Sequence, residues 1–235
     1  ALGAHPNITG LGEIYAVLNN RDHTNLFENS TCSCGKKGAE CPFWKQVREI
    51  AESNKSVEIK YLQTLSVFYE TFGEETILID SSKNSYSYLK KLAAEYDLQI
   101  VYLTRDFRSW SYSRFIANKK PIFLQMIRWY LENKKLLSVL KKYNLNYLSI
   151  GYEELALFPE LTLGKISDYA GISFSEKMLM PNNTKSHIIT GNIARVDSLK
   201  KAGFFYDPKW LLSFRMNWIS WLFSFFHKMN NTLVY

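Results

Sequence analysis

One stretch, Gln99 to Phe115 (QIVYLTRDFRSWSYSRF), restricts the fold more than any other. Ile100-Val101-Tyr102-Leu103-Thr104 is rich in β-branched and aromatic residues and reads as a short buried strand. Polarity switches at Arg105-Asp106-Phe107-Arg108. Trp110, Arg114 and Ala117 then begin the spacing of a helix. A strand that feeds directly into a helix belongs to an open α/β sheet, whose ligands bind at the carboxyl edge of the strands. Arg105 is expected at that edge. Ser113 follows eight positions on, one to two turns into the helix, where it can face the same edge. Arginine suits phosphate because its planar fork donates paired hydrogen bonds and keeps its charge. The ordinary alternative is an Arg105 paired with Asp106 and a Ser113 that caps its own helix.

The rest of the chain extends this pattern. Thr76-Ile77-Leu78-Ile79 is a continuous apolar run, expected as a buried strand. It ends in Asp80-Ser81-Ser82-Lys83-Asn84, and a helix follows through Leu89, Leu92 and Ala93. Strand, helix and strand with short links predict a βαβ unit with a right-handed crossover, which sets Lys83 and Arg105 on one sheet edge. Asn146 to Ile150 predicts a third strand. Helices are expected from Phe43 to Ile50, Val57 to Phe72, Pro121 to Tyr143, and from Pro159 to Ala170. Asn7 to Gly10 reads as a turn or short extended piece, and 20–41 and 181–197 read as polar loops. The expected fold is a three-layer α/β domain of the nucleotide-kinase layout around a central parallel sheet, a single domain over residues 1–235.

Composition limits the function classes. With 235 residues and 46% hydrophobic content the chain can bury a core. The net charge of +7 favours an anionic partner. The excess is spread as pairs such as Lys119-Lys120 and Lys141-Lys142, and no Arg-rich arm or nucleic-acid motif is present, so nucleic acid is not an expected partner. The three cysteines cluster as Cys32-Ser33-Cys34-Gly35 and Cys41-Pro42. With His23 they supply the donors of a Cys₃His zinc site. CxC is not the usual zinc spacing, however, and reduced thiols or one local disulfide are the expected state. The aromatic tail from Trp210 to Phe226 is too short and polar to span a membrane. It is expected as an amphipathic helix docked on the core, with membrane-surface contact as the minor alternative. Sequons at Asn7, Asn29, Asn54, Asn182 and Asn230 would permit a Golgi-lumenal protein, but bacterial cytoplasm is the expected location.

Taken in order, the segments AHPNITGLGE, CSCG with CPFW, ILIDSSK, VYLTRDFRSWSYS, LSIGYEEL and HIITGNIAR resemble the sulfotransferase superfamily. The resemblance is in particular to the branch that includes bacterial and Golgi-type carbohydrate and tyrosylprotein sulfotransferases. The resemblance implies the sulfuryl donor 3′-phosphoadenosine 5′-phosphosulfate (PAPS). It puts the 3′-phosphate on Arg105 and Ser113, and makes Glu13 the base and Lys83 the contact to the leaving phosphosulfate. Gly191, Asn192 and Arg195 resemble the late loop that closes over the nucleotide. It further implies a first strand and a Gly/Ser/Thr-rich phosphosulfate loop ahead of Ala1, where backbone N–H groups cradle the 5′ end. Phe107 departs from the proline that relatives often carry.

Sulfuryl transfer is an in-line displacement that requires positioning, charge neutralisation and removal of one proton. A carboxylate takes the acceptor's proton, and a lysine stabilises charge on the bridging oxygen. The leaving group is a good one, so no metal is required for the transfer. The acceptor is expected to be a glycan, tyrosine or small alcohol. Alternatives are a non-catalytic nucleotide-binding protein, or a nucleotide or small-molecule kinase of the same fold, which would need a P-loop and Mg²⁺ ligands.

Overall fold

A computed structural model describes residues 1–83, 86–180, 186–190, 203–223 and 225–235, with Tyr86 and Ser87 described for their backbone alone. The described chain divides into two units, 1–89 with 175–203 and 90–174 with 204–235.

The first unit is built on β1 (Ile8–Gly12) and β2 (Ile77–Asp80), which pair in parallel. Between them lie α1 (Ile14–Leu18), α2 (His23–Asn29), α3 (Trp44–Glu52) and α4 (Val57–Phe72). β1 is buried along its whole length, although two of its five residues are glycine, which hides it from a propensity reading. A bulge at Leu11 sets Gly10 opposite Ile79 and Gly12 opposite Asp80. The core gathers Leu11, Ile14, Val17, Phe27, Phe43, Trp44, Val47 and Phe68. The bounds of α4 follow from its ends: Ser56 accepts from Ile59 N, and Gly73 leaves at positive φ. α2 corrects the expected 20–41 loop. Asp22 caps it by accepting from Asn25 N at 2.9 Å, and Leu26 and Phe27 anchor it in the core. β2 is half-buried rather than buried, with Ile77 exposed.

α5 (Tyr86–Glu95) then leads along the chain into the second unit. There β3 (Val101–Thr104) pairs in parallel with β4 (Leu148–Gly151). α6 (Phe107–Asn118) and α7 (Ile122–Lys142) lie between them in sequence. α8 (Tyr152–Leu157), α9 (Pro159–Tyr169), α10 (Phe214–Leu222) and α11 (Phe225–Val234) follow. The core here is Tyr102, Phe107, Ile122, Met126, Trp129, Trp210, Met216, Phe226, Leu233 and Val234. The aromatic tail is thus two docked helices, and it keeps Phe214, Trp218, Trp221 and Phe225 exposed. No helix among the described residues is long and apolar enough to cross a membrane.

The α/β class with parallel strands agrees with the sequence. Among the described residues β2 bonds to β1 and β3 to β4. Short apolar strands carry little information about which neighbour they choose.

Candidate functional site

In the first unit the chemistry lies where β1 and β2 end. Gly12 sits at φ +77, and a Cβ there would fall 2.7 Å from Ile188 Cγ2, so only glycine permits this exit from the strand. Glu13 follows at the start of α1. Its Oε1 meets Lys83 Nζ at 2.7 Å, with the Glu13 side chain 20% and the Lys83 side chain 68% exposed. Asp80 fixes the backbone next to each, at Ile14 and Ser82. Its Oδ1 accepts from Ile14 N at 3.2 Å and from Ser82 N at 2.8 Å and Oγ at 2.6 Å, while Oδ2 accepts from Tyr61 Oη at 3.0 Å. Burial pushes the Asp80 carboxyl above its usual range, against these hydrogen bonds, which pull it down. Asp80 was outside the sequence expectations. Its signal is an acidic residue closing an apolar strand ahead of Ser-Ser.

The cysteine cluster lies in the same unit. Cys32 N donates to Lys36 O and Gly35 N to Cys32 O, which closes a tight turn with Gly35 at φ +89. Cys41 follows a single 3₁₀ turn at Gly38–Glu40. The histidine that joins them is His187, not His23, whose Nε2 bonds Val17 O at 3.0 Å. His187 Nδ1 lies 3.1 Å from Cys41 Sγ and 4.0 Å from Cys32 Sγ. With Cys34, the ligand atoms of all four side chains fall within 4.8 Å of one another. A hydrogen bond from Cys32 holds Cys41 well below the usual thiol range, against burial and with help from His187. The same bond and burial push Cys32 up.

In the second unit Arg105 follows β3. Its Nε donates to Ser109 Oγ at 2.7 Å, its guanidinium stacks 4.9 Å over the Tyr152 ring, and its carbonyl accepts from Trp129 Nε1 at 2.9 Å. Arg105 and Ser113 line one open cleft of about 250 Å³ with Ser109, Tyr112, Asp207 and Lys209. Arg105 is not paired with Asp106, and it makes no ion pair among the described residues. Asp106 is taken by Arg108, Oδ2 to NH2 at 2.6 Å and Oδ1 to Nε at 2.9 Å, and by Asn230 Nδ2 at 3.0 Å. Burial raises the Asp106 carboxyl, but the hydrogen bonds and charge of Arg108 outweigh it and leave it below its usual range. Glu153, in the first turn of α8, accepts from Asp106 N at 3.1 Å and is pushed up by burial. Gly191, Asn192 and Arg195 lie outside the described residues.

Residues 1–176 match a family model described as Sulfotransferase family. Among solved structures, the chain is similar to the sulfotransferase domain from the Synechococcus PCC 7002 olefin synthase. They share 15% identity at a TM-score of 0.47, over 93% of this chain and 95% of that one. The sulfotransferase domain from the curacin biosynthetic pathway is similar at 15% identity and a TM-score of 0.42, over 88% and 85%. No curated protein matches the chain.

Proposed function

The chain belongs to the sulfotransferase family, and from that premise we propose that it transfers a sulfuryl group from PAPS to a hydroxyl of a carbohydrate, tyrosine or small-molecule acceptor. The observation that carries this reading is Arg105. Ser109 and Tyr152 hold its guanidinium in place at an open cleft with Ser113 and Lys209 beside it, yet it is in no ion pair among the described residues. A fixed cation without a carboxylate partner, surrounded by hydroxyls, fits a phosphate. Asp207 on the same cleft lowers the net charge there but leaves the guanidinium fork unengaged.

PAPS supplies the sulfuryl group when bound. Arg105 and Ser113 hold its 3′-phosphate, with Gly191, Asn192 and Arg195 assigned to the nucleotide by resemblance. Glu13 takes the acceptor's hydroxyl proton on a carboxylate oxygen as the oxygen closes on sulfur. Lys83 neutralises the negative charge that develops on the departing phosphate oxygen. The Glu13–Lys83 pair at 2.7 Å orients the carboxylate until the acceptor arrives. Both side chains rest on backbone fixed by Asp80, so that carboxylate positions the reacting groups without touching them. Transfer through these residues needs no metal.

The test is calorimetric titration of the full-length protein with adenosine 3′,5′-bisphosphate. Arg105→Ala should weaken binding by about 10–100-fold, the worth of a charge-assisted contact. Labelled sulfate should pass from PAPS to a panel of glycan, phenol and alcohol acceptors. Equal affinity in wild type and Arg105→Ala removes Arg105 from the site. Binding without transfer to any acceptor favours the nucleotide-binding alternative, and ATP turnover with Mg²⁺ favours the kinase.

A further inference from the structure

We propose that Cys32, Cys34, Cys41 and His187 form a structural zinc site that fastens the 186–190 segment to β1. Three thiolate sulfurs and one imidazole nitrogen make a donor set of the kind that holds structural zinc with no position left open for substrate. Soft sulfur ligands favour zinc over magnesium or calcium. Around a tetrahedral zinc, with Zn–S of about 2.3 Å and Zn–N of about 2.0–2.1 Å, ligand atoms stand roughly 3.3–3.8 Å apart. The observed 3.1 Å and 4.0 Å from His187 Nδ1 bracket that range, and all four atoms lie within 4.8 Å. The ligand atoms need draw together by no more than about 1 Å to close on an ion.

The surroundings are built to hold this arrangement. The Cys32–Gly35 turn presents two sulfurs from one tight loop, as Gly35 allows. Cys32 and Cys41 are buried, and Trp44 Nε1 donates to His187 O at 2.6 Å. The His187 ring packs 5.4 Å from Phe72 and 6.4 Å from Phe43. Phe43 and Trp44 directly follow Cys41 in the CPFW motif, so that motif supplies both a ligand and the wall behind the histidine.

The backbone shows what the ion secures. His187 N donates to Gly10 O at 2.8 Å, Ser33 N to Ile188 O at 2.9 Å, and Ile188 N to Ser33 Oγ at 2.9 Å. Thr190 Oγ1 reaches Glu13 O at 3.3 Å. A Cβ on Gly10 would fall 2.8 Å from Ser186 Oγ, so β1 is shaped for this close approach. Residues 32–41 and 186–190 are distant in sequence and share few buried apolar side chains. A metal ion joins them with a strength that a single hydrogen bond does not reach. The inference stands on the donor geometry and is independent of the transfer reading.

The full-length protein, purified under reducing conditions, is loaded with zinc, gel-filtered and analysed for metal. One zinc per chain is expected, and chelation should lower Tm. Cobalt in place of zinc should give tetrahedral visible bands, with thiolate-to-cobalt charge transfer in the near ultraviolet. Cys34→Ser, at an exposed position that leaves the fold intact, should remove about one third of that intensity and weaken zinc binding at least about tenfold. His187→Ala should lose the ion to the same degree or more, and His187→Cys should keep it. If His187→Ala fails to fold, the cobalt spectrum of the wild type and of Cys34→Ser still counts the thiolates. Substoichiometric zinc after loading overturns the proposal. So does zinc held equally by wild type, Cys34→Ser and His187→Ala, or a reduced, folded protein whose cobalt spectrum shows no thiolate band.

Discussion

In the first unit the carboxylate that ends a strand, Asp80, is held by neutral donors; in the second the equivalent one, Asp106, is held by a guanidinium. Asp80 accepts from two backbone N–H groups and the hydroxyls of Ser82 and Tyr61. Asp106 takes both forks of Arg108, plus Asn230 Nδ2 at 3.0 Å and Tyr235 Oη at 3.2 Å. Burial outweighs hydrogen bonding at Asp80 and raises its carboxyl, whereas full charge pairing outweighs burial at Asp106 and lowers it. The difference also determines which cations stay available. Arg108 satisfies Asp106 and leaves Arg105 without a carboxylate. In the first unit Lys83 is taken by Glu13.

Under the proposed function, changing Glu13 has the largest expected effect, because it removes the carboxylate proposed as the base. Glu13→Gln keeps size and hydrogen-bonding capacity but cannot take a proton. Turnover by the full-length enzyme should fall by roughly 10²–10⁴-fold. Affinity for adenosine 3′,5′-bisphosphate should be unchanged, since Arg105 and Ser113 are untouched. A Gln variant with wild-type turnover and lowered Tm would make Glu13 a structural carboxylate.

Stability separates the two strand-end carboxylates directly. Asp106→Ala leaves Arg108, half-buried, without its partner and should cost about 3 kcal/mol, the low end for breaking a buried pair. Asp80→Asn keeps an acceptor for Ile14 N and Ser82 and should cost about 1–2 kcal/mol, from the mismatch with Tyr61 Oη. Urea titration of both variants checks the order. Equal costs would mean that charge pairing adds nothing at Asp106. A smaller effect is expected at Tyr152, whose ring lies under the Arg105 guanidinium. Tyr152→Leu should weaken nucleotide binding by about 0.5–1 kcal/mol, a few-fold, through looser positioning of the cation. Unchanged binding would assign the positioning of Arg105 to Ser109 alone.

Local signals were legible in the sequence and remote ones were not. Ser56 and Gly73 bracket α4 and mark both of its ends. That Arg105 and Ser113 share one cleft was legible because the first two turns of α6, from Phe107, carry Ser113 back beside the strand end. α2 was missed because only Leu26 and Phe27 carry its buried face, inside a polar run. β1 was underread because close approach by 186–190 demands glycine where a strand former would normally stand. The histidine of the cysteine cluster was taken as His23, the nearer one in sequence. His187 stands 146 positions from Cys41, and nothing in the local pattern of either announces the contact. The choice of strand partners is equally remote, since β2 bonds to β1 and β3 to β4 and the short apolar runs mark neither choice.

The pH dependence of stability carries the comparison to its smallest expected effect. Asp106 has a lowered carboxyl in the folded state, so the unfolded chain binds its proton more readily. Its contribution is present above the ordinary Asp range and is lost as pH falls through the lowered folded value. Asp80 and Glu153 are raised, so the folded state holds their protons longer. Each is most favourable below its ordinary range, and stability declines as pH rises from there to the raised folded value. The groups facing Glu153 are the Asp106 carboxylate, which raises it further, and Arg105, which lowers it. The two slopes lie on opposite sides of the ordinary carboxyl range, so the wild type should be most stable near that range and lose stability in both directions from it. Asp106→Asn should remove the loss on the acid side and leave the decline of Asp80 and Glu153 as pH rises above the ordinary carboxyl range. Asp80→Asn combined with Glu153→Gln should expose the opposite slope, with stability lost only as pH falls. Tm measured from acid to neutral pH on the wild type, Asp106→Asn and the double variant reads all three. Parallel profiles would show that these carboxyls titrate alike in the folded and unfolded chain, and that the contrast between the units is one of hydrogen-bond count alone.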